Sequence, residues 1–221
     1  MRFPRPRAWS RARAASSRTL PFPATPNLRA ALVGDLGCFE NVAVFPVAQR
    51  EPSLSSCASS LGERWREISL YRPNILAADP ATLAKFAEYV FCGVWETPSV
   101  DTAVFALTVI GRQPMTEEHR LLSWRAFRVP VYELLVDADE GVLAAECEAH
   151  EGWHVHHPQL RFDLQTAKIV FQKHGLSASP VPSGLTADGL DGICVCGGVA
   201  PLLRNVRAQH VEEIRVQAAR A

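Results

Sequence analysis

No stretch of this 221-residue chain approaches the roughly 20 consecutive apolar residues that a helix needs to cross a bilayer, so no membrane span is expected. Net charge is missing too: 23 basic and 23 acidic side chains leave zero at neutral pH. Nucleic acids and acidic membranes select one-signed surfaces, so neither partner is suggested. Three glycine signatures are also absent: Gly-x-x-x-x-Gly-Lys-Ser/Thr, Gly-x-Gly-x-x-Gly and Gly-x-Ser-x-Gly. Their absence excludes the usual phosphate loop, the usual dinucleotide turn and the hydrolase nucleophile elbow.

Acidic residues are missing from the first 30 positions, which carry Arg2, Arg5, Arg7, Arg11, Arg13, Arg18 and Arg29. That composition resembles a transit peptide, but Pro4, Pro6, Pro21, Pro23 and Pro26 interrupt any amphipathic helix. No apolar run of seven follows the arginines, which argues against a secretory signal. Residues 1–27 are therefore expected to be a disordered leader, with targeting or anion contact as its functional alternative. Of the six cysteines, Cys38, Cys57 and Cys92 stand alone and lack the spacing of a disulfide scaffold. They read as buried thiols of a protein in a reducing compartment, the cytoplasm.

What is present is a repeating unit. FENVAVFPV (39–47) reads as a strand and LSSCASSLGERWREI (54–68) as a helix. PNILAADPATLAKFAEYVF (73–91) predicts a strand ending at Ala78, with Asp79 as helix N-cap and Pro80 at the first helical position. DTAVFALTVIG (101–111) has the continuous apolar character of a strand covered on both sides. TEEHRLLSWRAF (116–127) is a helix capped by Thr116, and RVPVYELLV (128–136) is again a strand. Alternation with short connections implies right-handed βαβ units and a mainly parallel α/β sheet spanning 28–141. After residue 141, GVLAAECEA, WHVHHPQLRFDL and AKIVFQ read as short strands of a smaller β subregion, 142–205, in which HGLSASPVPSGLTADGLDG is loop. Residues 206–221 read as a tail.

The chemistry concentrates in ECEAHEGWHVHH (146–157) and CVCGG (194–198). Thiolate and imidazole are the preferred zinc ligands, and a closed structural site takes four of them. Gly192, Gly197 and Gly198 allow the chain to turn tightly, so that Cys194 and Cys196 can face one ion. Cys147 is a third thiol. Alternation along WHVHH puts His154 and His156 on one face of a strand, which makes His154 the first choice of fourth ligand, ahead of His150 and His156. The spacing matches no common zinc-finger pattern, so two loop thiols with solvent-facing histidines are the alternative. A cupin reading of His-x-His lacks its glutamate, since Leu160 and Arg161 stand there. A catalytic Cys147–His150 pair lacks an oxyanion loop.

Three motifs in order carry a resemblance: VPVYE (129–133), LAAECEAHEGWHV (143–155) and SGLTADGLDGICVCGGVAPLL (183–203). Together with DPATLAKFAEYV (79–90), they resemble the later part of the catalytic domain of the phenylacetate-CoA ligase and coenzyme F390 synthetase-like proteins, members of the adenylate-forming superfamily. The resemblance covers about residues 35–205. It implies part of the adenylate-forming N-terminal domain, a small carboxylic acid substrate, ATP with Mg, an acyl adenylate, and transfer to CoA. It further implies that Cys147, His154, Cys194 and Cys196 form a structural zinc site, and that Tyr132 and Glu140 stand where the family contacts nucleotide and carboxylate. The sequence departs from the family at several points. The phosphate loop is absent, Gly and Thr are missing from YELLVDADE (132–140), and Leu185 replaces the ribose-gripping acid. Gly198 replaces the Arg after Cys-x-Cys-Gly, and no C-terminal lysine domain follows Leu203. These departures predict a degenerate or inactive ligase relative. The alternatives are a noncatalytic zinc-stabilised binding or assembly protein, and a fragment of a longer ligase.

Overall fold

A computed structural model describes residues 18, 20, 28–34, 36, 39–46, 54–96, 99–110, 112–163, 168–172, 179–180, 185–191, 194, 196, 201–204 and 206–208. The first half alternates as its hydrophobic pattern demands. β1 (Ala30–Val33) and β2 (Ala43–Phe45) precede α1 (Leu54–Tyr71), β3 (Ile75–Ala78), α2 (Pro80–Phe91), β4 (Ala103–Val109), α3 (Glu117–Phe127) and β5 (Val131–Asp137). The Asp79 carboxylate accepts the N–H groups of Ala81 and Thr82, both at 3.0 Å, and Pro80 occupies the first helical position, where no N–H is needed. Thr116 caps α3 through the His119 N–H.

β2, β1, β3, β4 and β5 pair in that order, all parallel. Leu61, Trp65 and Ile68 of α1 and Leu83, Phe86, Ala87 and Val90 of α2 fall at helical spacing and press onto Ala31, Val33, Leu76, Ala78, Val104 and Ala106. All three helices lie on that face. The opposite face buries Ile75, Ala77, Phe105, Leu107, Tyr132 and Leu134 beneath Leu20 and Phe39. β4 is buried along nearly its whole length, as its unbroken apolar run predicts.

Beyond β5 the same sheet continues antiparallel. β6 (Gly141–Glu146) and β7 (Gly152–Val155) are followed in space by β13 (Leu202–Arg204) and β12 (Gly189–Asp191), giving nine strands in one sheet. A second sheet holds β8 (Leu160–Asp163), β9 (Lys168–Phe171), β10 (Ser179–Pro180), β11 (Leu185–Thr186) and β14 (Arg207–Ala208). The strands after residue 141 thus divide between two sheets. Leu160, Ile169 and Phe171 of the second pack on Leu135, Leu143, Trp153 and Leu203 of the first. Within 174–192, read as loop, β10, β11 and β12 take short ladder positions.

Three expectations change. Of residues 1–27, Arg18 and Leu20 are described, and Leu20 is 1% exposed, with its backbone exchanging hydrogen bonds with the Asn41 side chain at 2.9 and 3.2 Å. The leader therefore does not run unbroken to residue 27: Leu20 is core. WHVHHPQLRFDL is two strands, because a turn at 157–159, closed by the Leu160 N–H donating to His157 O at 3.1 Å, sends β8 to the second sheet. Cys92 is exposed rather than buried, since it stands at the C-cap of α2, past the face that packs. Cys38 and the side chain of Cys57 lie outside the described residues. Among the described residues, no helix is long and apolar enough to cross a membrane.

Candidate metal centre

The turn that leaves β6 is shaped by its own backbone. The Cys147 N–H donates to Gly152 O at 2.7 Å and the His150 N–H to Cys147 O at 2.8 Å. His150 closes the turn in the left-handed region, at φ 54°. Gly152 lies at φ 156°, and a Cβ there would stand 2.1 Å from the Leu203 carbonyl oxygen, so only glycine lets β7 approach β13. The Ala149 N–H points at Cys147 Sγ, 3.3 Å away, as a donor that favours a thiolate.

β7 then alternates. Trp153 goes into the core shared with the second sheet, and His154 turns to the other face. There the His154 Nε2 lies 3.1 Å from Cys196 Sγ, while Cys147 Sγ lies 3.1 Å from Cys194 Sγ. The ligand atoms of Cys147, His154, Cys194 and Cys196 all fall within 4.8 Å of one another. Three separate segments thus deliver three sulfurs and one imidazole to one point, with Leu202 packed beside them. Cys147, Cys194 and His154 are buried, and Cys196 is half-buried. Burial pushes the Cys147 thiol up to about 12, helped by its hydrogen bond with Cys194. At Cys194 burial also raises the pKa, but hydrogen bonds from the Cys196 backbone and from the Cys147 and Cys196 side chains outweigh it and lower the pKa. Three sulfurs and a nitrogen at this spacing are the donor set and count of a closed tetrahedral zinc site.

The alternative ligands lie elsewhere. His150 Nδ1 bonds Glu146 Oε1 at 2.8 Å, and its ring stacks on Tyr132 at 5.2 Å and 9°. His156, next along the strand face, is outside the four-atom group, and burial together with His154 lowers its pKa.

Behind the turn lies a polar frame that the sequence reading missed. Glu146 Oε2 accepts from Arg120 Nη1 at 2.9 Å and from the Glu133 N–H at 2.8 Å. Arg120 Nη1 also donates to Val131 O at 2.8 Å, and its Nη2 lies 3.6 Å from Glu133 Oε2. Glu133 Oε1 accepts from the Met115 N–H at 2.8 Å and from the Thr108 hydroxyl. Burial raises the Glu133 pKa despite these donors. The signal was a single acid inside each apolar run, Glu133 in VPVYELLV and Glu146 in GVLAAE, because a buried charge requires a partner.

The structure does not bring Tyr132 and Glu140 together. Tyr132 is the second residue of β5, 5% exposed against Phe105 and His150, and its hydroxyl is pushed up to about 12 by burial and then by Glu148, Glu146 and Cys147. Glu140 sits in the turn beyond the other end of β5, with Oε2 3.6 Å from His157 Nε2. On the helical side of the sheet, far along the fold, Trp65, Arg66, Ser69, Val94 and Trp95 line an open groove of about 540 Å³.

No family model and no curated protein matches the chain. Solved structures do. Three forms of 2-hydroxyisobutyryl-CoA ligase share the fold: an open conformation with 2-HIB-AMP and CoA, a postadenylation state with R3-HIB-AMP, and a thioesterification state with 2-HIB-AMP and CoA. Each is 11% identical, with TM-scores of 0.52, 0.54 and 0.53 over 82, 84 and 87% of this chain. The chain spans 45, 44 and 48% of those structures, a little under half of each. The mixed α/β fold, with its parallel β2–β1–β3–β4–β5 half, thus matches part of the 2-hydroxyisobutyryl-CoA ligase fold.

Proposed function

We propose that the chain is a zinc-stapled relative of the acid–CoA ligases, of the phenylacetate-CoA ligase and F390 synthetase-like kind, whose described part serves as scaffold rather than as a complete adenylating site. The carrying observation is the convergence of Cys147, His154, Cys194 and Cys196 within 4.8 Å from three chain segments. With all four positions filled by protein, a bound zinc would be structural: it would tie β6 and β7 to the segment before β13 and leave no open position for substrate. The frame of Arg120, Glu133 and Glu146 holds the Cys147 turn to β5 and α3, as groups behind metal ligands commonly do. A thiolate-rich site of this kind belongs to a reducing compartment, which supports a cytoplasmic setting.

Adenylation needs groups that hold the triphosphate and grip the ribose. The sequence has no phosphate loop, and Tyr132 and Glu140, the expected nucleotide contacts, lie at opposite ends of β5. ATP, Mg and CoA chemistry on a small carboxylic acid is accordingly assigned to the family and not to this chain acting alone. A noncatalytic binding or assembly protein is the second reading, favoured by Val94, 63% exposed on the rim of the Trp65–Trp95 groove.

Elemental analysis of purified protein tests the zinc: about one equivalent is expected, and less than half an equivalent overturns the assignment. Zinc binding must also displace the Cys147 proton, since burial holds that thiol up to about 12. Affinity therefore falls as pH falls, and calorimetry in buffers of different ionisation enthalpy should show net proton release at mildly alkaline pH. Pyrophosphate release with ATP, Mg, CoA and a panel of aryl and small aliphatic acids tests the scaffold reading. No turnover is expected, and turnover would sink it.

A further inference from the structure

The two buried sulfurs stand at a separation that suits neither of their stable bonded states. In a tetrahedral site with Zn–S bonds of about 2.3 Å, neighbouring sulfurs lie about 3.8 Å apart. In a disulfide they lie about 2.05 Å apart. Cys147 Sγ and Cys194 Sγ are 3.1 Å apart, so either end state requires a shift of less than roughly 1.1 Å. The two residues are separated by 47 positions and come from different segments, one after β6 and one before β13. A bond between them would therefore replace the zinc as the link between those segments.

The third sulfur gives the oxidant its entry. Cys147 and Cys194 are 1% and 5% exposed, whereas Cys196 is half-buried and within 4.8 Å of both. Its sulfur also lies 3.1 Å from His154 Nε2. Peroxide can reach Cys196 first, and the sulfenic acid formed there has two thiol groups beside it.

We propose that the cluster is a redox-responsive metal site, in which a peroxide converts Cys147 and Cys194 to a disulfide and releases the zinc. The inference rests on the zinc reading above. The Cys196 thiolate attacks one peroxide oxygen, the O–O bond breaks, and hydroxide leaves. The Cys194 thiolate attacks the Cys196 sulfenic sulfur, the S–O bond breaks, and a second hydroxide leaves. The Cys147 thiolate then attacks Cys194 Sγ, the Cys194–Cys196 bond breaks, and Cys196 departs as thiolate. Two thiolates lose two electrons, and peroxide with two protons becomes two waters. With two of its thiolates consumed, the site retains His154 and Cys196, too few ligands to hold the metal. Zinc and disulfide are alternative staples of the same two segments.

The test uses the full chain, zinc-loaded and, separately, chelator-treated, with Cys92→Ser as background so that the exposed thiol forms no intermolecular bond. Hydrogen peroxide is added, zinc release is followed with a colorimetric chelator, and non-reducing peptide mapping locates the crosslink. One zinc released per chain, the loss of two hydrogens per chain and a Cys147–Cys194 linked peptide are expected, all reversed by a dithiol reductant with added zinc. Cys196→Ser should slow the peroxide reaction while a small disulfide oxidant still crosslinks Cys147 to Cys194 in metal-free protein. Sulfinic or sulfonic acids without that crosslink, or a crosslink confined to Cys194 and Cys196, would overturn the proposal. A chain that binds no zinc but forms the crosslink defeats the metal reading and leaves the thiol pair established; a zinc-bound chain without it does the reverse.

Discussion

Three helices press onto one face of β1, β3 and β4, where Leu76, Phe86, Val104 and Trp65 bury large apolar surfaces. At the far end of the same sheet, β6, β7 and β13 close on Cys147, Cys194 and Leu202, with Cys196 beside them. The first region is held by apolar area, at about 1.5–3 kcal/mol for each large side chain fully buried. The second has little apolar volume to bury at its tip, where the Arg120–Glu146 frame and a turn that only Gly152 permits set the backbone, and the proposed metal ligation would add a further tie. Small cores need staples, and on the proposed zinc reading one sheet would use both solutions.

Breaking the comparison starts with the metal. Removing zinc with a strong chelator should expose residues 147–155 and 201–204 to amide exchange while β1, β3 and β4 keep their protection. Equal protection in both forms would mean the antiparallel end stands without metal. Next in size, Phe86→Ala should lower stability by about 3–5 kcal/mol in denaturant unfolding, with zinc stoichiometry unchanged, because Phe86 is fully buried on the helical face. Gly152→Ala should cost about 1–3 kcal/mol by forcing β7 away from Leu203 O, and it should also weaken zinc binding. A Gly152→Ala protein with unchanged zinc affinity would show that the turn and the ligands are independent. The smallest effect belongs to Asp79→Ala, about 1 kcal/mol from two lost capping bonds, with no change in zinc affinity.

Much of the parallel half was legible because its signals are local. Asp79 and Pro80 announce the start of α2, Thr116 that of α3, and the apolar run through β4 requires cover on both sides. Later strands were harder, because strands of two to four residues carry almost no period and their sheet membership depends on partners far away in the chain. Alternation along WHVHH did place Trp153 and His154 on opposite faces, and three cysteines with one histidine were legible as a donor set. The Arg120–Glu133–Glu146 frame was not: each residue is an ordinary charge in sequence, and the partnership exists only once Arg120 of α3 reaches Glu133 of β5 and Glu146 of β6.

Local propensity and hydrophobic period, by themselves, determined the βαβ rhythm, the helix starts and the set of side chains able to bind a soft metal. Tertiary structure alone decided that Leu20 is core and that β6, β7, β12 and β13 extend the main sheet. It also decided that Cys147 meets Cys194 across 47 positions. Caps and periods are properties of neighbours along the chain, whereas a ligand set spanning three segments is a property of strand pairing, which no single stretch encodes.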